Sequence, residues 1–390
     1  MRHTKLLIRA GGVVTAGRVD GPATVAVADG VVAAISAGYD TEPGNGEPVL
    51  DASDLTLAPG MIDLHTHGAN GAQAANGTPR DLAGMAEFFA AHGVTGFLAS
   101  VGGDHEAIDT GLRAVAAFAS EQLDGQGARC FGAHLEGPFI NPGSAGAFPV
   151  DTVVAPDPFL LDHYLRRARG WVKVVTIAPE LPGALPLIER AFAAGVVCAA
   201  GHSLADAAQM ERGIEAGIRH VTHMYNAMRP LHHRDPGIVG VALTDDRVTA
   251  EVIVDGVHVD AYAVRLLLAA KGVERTAVIT DSIGAAGLKD GIHDFAGQRV
   301  TVADGAARLS DGALAGSVVT MDQALRTLVK VVGVPLPAAV VSVSETPARV
   351  LGRAATSGRI EAGMVADMVA LDADLRVAWT MVGGRLPRSR

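Results

Sequence analysis

"LAPGMIDLHTHG", residues 57–68, carries an apolar run through a Pro-Gly step into two histidines one residue apart. Side chains alternate faces along an extended chain, so His65 and His67 project the same way, close enough to share one ion. What this run belongs to decides the fold. Downstream, the pattern of a short β-branched run, a turn and an Ala/Leu-rich stretch recurs, with strands expected at 57–64, 94–100, 129–135, 172–178, 196–201, 220–223, 249–255 and 276–281. The stretches 80–92, 103–123, 184–194, 205–216 and 260–270 place apolar residues near a 3.6-residue period and read as helices. Strand–helix alternation implies a parallel sheet, and eight units imply a closed (β/α)₈ TIM barrel over residues 57–354. The two ends differ. Residues 1–56 and 355–390 give alternating, turn-rich segments and are expected to form one small β-sandwich beside the barrel, with 41–48 ("TEPGNGEP") as a surface loop.

Composition narrows the function classes. A chain of 390 residues with 49% hydrophobic content can bury a large core. Its net charge of −10 and lack of a Lys/Arg stripe argue against nucleic acid, so an anionic substrate needs a local basic pocket. The two cysteines, Cys130 and Cys198, each sit in an apolar run, which argues for a reducing compartment and buried thiols. The N-terminal apolar run is too short for a secretory core and nothing reaches membrane-spanning length; a cytoplasmic protein is expected.

Active sites of such barrels form where the C-terminal ends of the strands converge. His65 and His67 follow the first strand, Glu136 the third, His202 the fifth, His223 the sixth, His258 the seventh and Asp281 the eighth. Histidines buried for unrelated reasons would scatter, so this clustering points to a metal centre. Imidazoles with a carboxylate suit zinc or iron(II) rather than calcium. Three protein ligands and an open position for water make a hydrolytic site, with a nearby carboxylate, Asp281, to move protons. Asp281 also reads as a helix N-cap, His134 as a polar group satisfied within its strand, His92, His105 and His163 as solvent-facing helical residues, and Asp255 and Asp260 as cap or turn residues. His232 and His233 lie in a polar loop.

The segments "PGMIDLHTHG", "GAHLEGPFINP", "AAGHS", "VTHMYNAMRPLHHRDPG", "VIVDGVHV", "ITDSIGAAG" and "LAGSVVTMDQAL" occur in an order that resembles the amidohydrolase superfamily and, within it, the N-acetylglucosamine-6-phosphate deacetylase family. The resemblance implies that Glu136, His202 and His223 hold the catalytic metal and that Asp281 is the acid/base. It implies a substrate cradle of Ala147, Asn226, Ala227, Arg234, Asp255, His258, Leu314, Ala315 and Gly316, with Arg234 contributed across a homodimer. The activity it implies is hydrolysis of N-acetyl-D-glucosamine 6-phosphate to D-glucosamine 6-phosphate and acetate, in amino-sugar catabolism and cell-wall recycling. Single-metal members of the family carry a histidine after "EGP"; here Phe148 stands there, and Phe cannot donate a hydrogen bond. Those members also lack the His-x-His pair, so one or two ions per chain are expected, the second at His65 and His67. The rival readings are a dihydroorotase-like or D-aminoacylase-like hydrolase, which would not need Arg234, and a non-catalytic metal-binding relative, which would have lost ligands.

Overall fold

A computed structural model describes residues 5–386, apart from 16, 45, 46 and 124. Residues 45 and 46 of the expected surface loop, and 1–4 and 387–390 of the two ends, therefore lie outside the described residues. Eight parallel strands, β1 (Met61–Thr66), β2 (Val94–Val101), β3 (Arg129–Glu136), β4 (Val172–Ile177), β5 (Val197–Ala200), β6 (Ile218–Val221), β7 (Thr249–Ile253) and β8 (Thr276–Ile279), pair in sequence order. The ring closes where β8 meets β1: the Asp281 N–H donates to the His65 carbonyl (2.8 Å), and the Thr280 hydroxyl donates to the Asp63 carboxylate (2.5 Å). The fold is a (β/α)₈ TIM barrel. Its strands are buried on both faces, which is why they read as nearly unbroken apolar runs.

Helices α1 (Pro79–Ala91), α2 (His105–Glu121), α3 (Pro158–Arg167), α4 (Ala184–Ala193), α5 (Ala207–Ala216), α6 (Gly237–Thr244) and α7 (Ala261–Lys271) pack around the sheet. Asp104, Asp157, Asp206 and Asp260 cap four of them by accepting backbone N–H groups of the first turn. Of the three histidines expected to face solvent, His105 is exposed, with a 3.0 Å bond to the Tyr164 hydroxyl, whereas His92 and His163 are half-buried against Asp322 (3.0 Å) and Asp109 (2.8 Å).

The first strand begins later than its sequence implied. Val49–Pro59 is a strand of a separate sheet, the extended run is interrupted at Gly60, and the barrel starts at Met61, so both histidines lie at the strand's end. A side chain at position 60 would meet the Thr95 side chain at 2.2 Å, and that contact is what the Pro-Gly step accommodates. The separate sheet has seven strands drawn from both ends of the chain, with Met368–Leu371 antiparallel to Val49–Pro59 and Lys5–Thr15 parallel to it. It encloses its own core of Ile8, Val13, Val25, Leu57, Met368 and Met381. A four-stranded antiparallel meander, Gly291–Phe295 to Leu314–Ser317, had no counterpart in the sequence reading; it follows β8 and brings Phe295 over the barrel mouth.

Candidate active site

Asp63, His65 and His67 alternate along β1 and its exit, so all three face the barrel axis. Glu136 ends β3. His202, His223 and Asp281 each lie two residues beyond the end of a strand, with φ values of 48°, 28° and 50°. Such left-handed conformations cost non-glycine residues roughly 1–3 kcal/mol each and persist only when the surroundings dictate them. Here the neighbours hold them: the Asn141 N–H donates to the His202 carbonyl (2.9 Å), and the Ser317 N–H to that of Asp281 (2.8 Å).

Six of these side chains, all but Asp63, form two donor groups that share one carboxylate. Glu136 Oε1 lies 3.0 Å from His202 Nε2 and 3.1 Å from His223 Nε2. Its other oxygen, Oε2, lies 3.0 Å from His67 Nε2 and 3.3 Å from His65 Nε2. Asp281 Oδ1 stands 3.2 Å from His67 Nε2. Two pairs of imidazole nitrogens approach closely, His202 with His223 at 3.0 Å and His65 with His67 at 3.3 Å, yet Glu136 Oε2 has no hydrogen-bond donor. Imidazole nitrogens brought this close together, beside a carboxylate oxygen left without a hydrogen-bond partner, fit cations, and both donor groups lie within the reach of one ion each. The His202 Nδ1–H donates to the Ser144 carbonyl (3.0 Å), which leaves Nε2 free as a ligand atom.

Electrostatics agree. Burial opposes charge on Glu136, but His65 and His67, with hydrogen bonds from His202 and His223, hold its carboxyl well below the usual range. Burial likewise disfavours a charged His67, yet Glu136 and Asp281 raise it to about 9. The site thus gathers positive charge around buried carboxylates, the role a divalent ion would take over.

A family model described as the amidohydrolase family matches residues 56–386. The chain belongs to the amidohydrolase family. It is 36% identical to N-acetylglucosamine-6-phosphate deacetylase of Bacillus subtilis (strain 168), over 98% of this chain and 96% of that protein. It is 35% identical to N-acetylgalactosamine-6-phosphate deacetylase of Escherichia coli O157:H7, over 92% of this chain and 93% of that one. The solved Mycobacterium smegmatis N-acetyl-D-glucosamine-6-phosphate deacetylase, a variant in complex with N-acetyl-D-glucosamine-6-phosphate, superposes with a TM-score of 0.91 at 34% identity, covering 99% of this chain and 100% of that one.

In this amidohydrolase the metal-type residues form the floor of a cavity of about 230 Å³. Ala147, Asn226, Ala227, His258, Leu314 and Gly316 line it, as do Phe148 and Phe295. The remaining cradle residues lie elsewhere. Ala315 is buried in the meander's core, Asp255 sits behind His258 with a 2.6 Å bond to its Nδ1, and Arg234 is on an exposed loop against His233. No helix follows Asp281 directly, so it is not an N-cap; Asp260 is one. Phe148 packs its ring 6.0 Å from that of His67 and 5.6 Å from that of His202, as an apolar wall.

Beneath the floor lies a polar plug, of which sequence reasoning placed only His134, as a polar group within its strand, and missed the rest. Asp63, His134, His220 and Glu251 are fully buried, and Glu251 Oε2 lies 3.0 Å from His65 Nδ1. Burial raises Asp63 to about 7, against its hydrogen bonds from Thr280 and His65, and lowers His134 to about 3. The available signal was a charged residue inside a β-branched run, as in "TAEVIVD" and "GMIDL", where a barrel interior ordinarily packs branched apolar side chains.

Proposed function

We infer that this chain hydrolyses N-acetyl-D-glucosamine 6-phosphate to D-glucosamine 6-phosphate and acetate. The observation that carries the reading is the Glu136 carboxylate, one oxygen turned to each donor group, on the floor of a cavity in a chain this similar to sugar-phosphate deacetylases. Glu136, His202 and His223 would hold one divalent ion, and His65 and His67, on the side of the other Glu136 oxygen, would hold a second. Zinc suits the donor set best, with iron(II) as the alternative. Bound there, the metal supplies Lewis acidity and brings the pKa of water towards ~7.

The chain's own groups carry the protons. Asp281 Oδ1 takes a proton from the attacking water as its oxygen bonds to the acetyl carbon. It then returns that proton to the amine nitrogen as the carbon–nitrogen bond breaks. Phe148 and Phe295 exclude solvent beside the acetyl group. Asn226, Ala227 and His258 face the sugar phosphate, and Arg234 from a second copy completes its charge balance in a homodimer. Among the described residues no helix is long and apolar enough to cross a membrane, and a cytoplasmic setting suits a phosphorylated substrate.

Acetate release tests the reading. Metal-stripped protein should be inactive, and zinc or iron(II) should restore turnover of N-acetylglucosamine 6-phosphate far above that of the unphosphorylated sugar. The 35% identity to an N-acetylgalactosamine-6-phosphate deacetylase makes the C4 epimer the first competitor to include. Faster turnover of dihydroorotate or of an N-acyl-D-amino acid overturns the assignment.

A further inference from the structure

Glu251 touches both donor groups from below. Its Oε2 accepts from His65 Nδ1 at 3.0 Å and from the backbone N–H of His223 at 3.2 Å. Its Oε1 lies 3.0 Å from His220 Nε2, and His220 Nδ1 is 2.5 Å from the Thr249 hydroxyl. Glu251 and His220 are fully buried, and Thr249 and Glu251 sit two residues apart on β7, so both face inward. Nothing in the proton transfers described above uses them.

We propose that Glu251 is a positioning residue for the metal centre: through His65 Nδ1 it fixes the tautomer that turns Nε2 toward Glu136 Oε2, and through the His223 N–H it sets the distance between the two donor groups. The reasoning is physical. An imidazole that donates through Nδ1 to a carboxylate presents an unprotonated Nε2 of raised basicity, in one ring orientation, and loss of such a partner typically weakens metal binding 10- to 100-fold. His223 needs this support more than an ordinary ligand does, because its backbone sits at a φ of 28°. His220, itself bonded to the Thr249 hydroxyl, occupies the second oxygen of Glu251, which leaves Oε2 to His65 and the His223 N–H. The inference rests on the reading that His65 and His67 hold an ion.

Metal titration of Glu251→Gln in the full chain, by calorimetry and by elemental analysis after desalting, tests it against the unaltered protein with zinc. The amide keeps size and one acceptor but loses the charge. The unaltered chain should retain two ions; the variant, with an unchanged near-ultraviolet dichroism spectrum, should bind the ion assigned to His65 and His67 at least about 10-fold more weakly and the one assigned to Glu136, His202 and His223 within a few-fold. Two ions in both, at equal affinities, overturn the role of Glu251. A single ion in the unaltered chain overturns instead the two-ion reading on which it rests. Should the variant not fold, the unaltered protein still decides: with ¹⁵N-labelled histidine and ¹¹³Cd, His65 must couple to the metal through Nε2 and keep a slowly exchanging proton on Nδ1. Coupling through Nδ1 overturns the proposal.

Discussion

The floor and the rim of the cavity are built on opposite terms. On the floor, six side chains from the ends of five strands of one chain converge at 3.0–3.5 Å, all buried, with orienting bonds from Ser144 and Glu251 behind two of the histidines. At the rim, among the described residues, no lysine or arginine lines the cavity, and His258 is committed to Asp255 at 2.6 Å. A sugar phosphate brings a charge of about −1.5 to −2, which is costly to enclose without a cation. The difference teaches where each part of the proposed function resides: the groups assigned to bond breaking all come from one chain, whereas recognition of a phosphate asks for a cation that the described residues of a single chain do not place at the cavity.

The sharpest break in that contrast is at Asp281. Asp281→Asn keeps the shape of the side chain but cannot shuttle a proton, and general acid–base catalysis is worth roughly 10²–10⁴-fold. The expected outcome is a fall in kcat of that size or larger, since one group acts in both transfers, with KM for the phosphorylated sugar little changed and metal still present by elemental analysis. Near-native turnover of a metal-loaded variant would make the floor a binding feature only.

A smaller effect separates the two donor groups on the floor. The His65→Ala, His67→Ala double variant removes the pair beside Glu136 Oε2 and leaves the pair beside Oε1 intact. One ion should remain, and activity should drop by at least about 10²-fold, the scale of losing one preorganised stabiliser of the developing oxyanion. Phe148 stands where a hydrogen-bond donor would compensate, so no side chain at that wall takes over. Unchanged turnover with one ion in both proteins would reduce the His-x-His pair to polar filling.

How much of this was legible in the sequence follows from the same contrast. The floor residues stood out because chemistry-bearing side chains at strand ends are rare against an apolar background, and the strand count gave them a common location. Glu251 and His220 were hidden because they lie within strands, where a period of two says which residues share a face but not whether that face is the barrel's interior. "LAPGMIDL" was read as one apolar run in sequence and is two strands of different sheets in space, since the Pro-Gly step at 59–60 marks the break and its close contact with Thr95 shows only in the fold. The meander and Phe295 were not legible at all: its strands have three to six residues, and short alternating segments between Gly and Asp turns carry little signal. The rim depends on loops, and loops are placed by what they pack against.

The gentlest perturbation addresses the rim directly. Arg234 is exposed and lies outside the cavity of its own chain, so its proposed contact with phosphate requires a second copy. A charge-assisted hydrogen bond contributes about 1.5–3 kcal/mol, or ~10- to 150-fold. Arg234→Ala should raise KM for N-acetylglucosamine 6-phosphate within that range and leave the poor turnover of the unphosphorylated sugar unaltered, because only the phosphate makes the contact. Equal losses on both substrates would assign Arg234 to structure. Mixing decides whether the contact crosses between chains. In a hybrid dimer of Arg234→Ala and Asp281→Asn chains, one site combines an intact Asp281 with an intact Arg234 and the other has neither. Random re-association makes half the dimers hybrids, so about one site in four should regain full activity. No recovery beyond the sum of the parent variants, in dimers shown to exchange, would place the arginine's action within its own chain and return the missing cation to the rim of a single barrel.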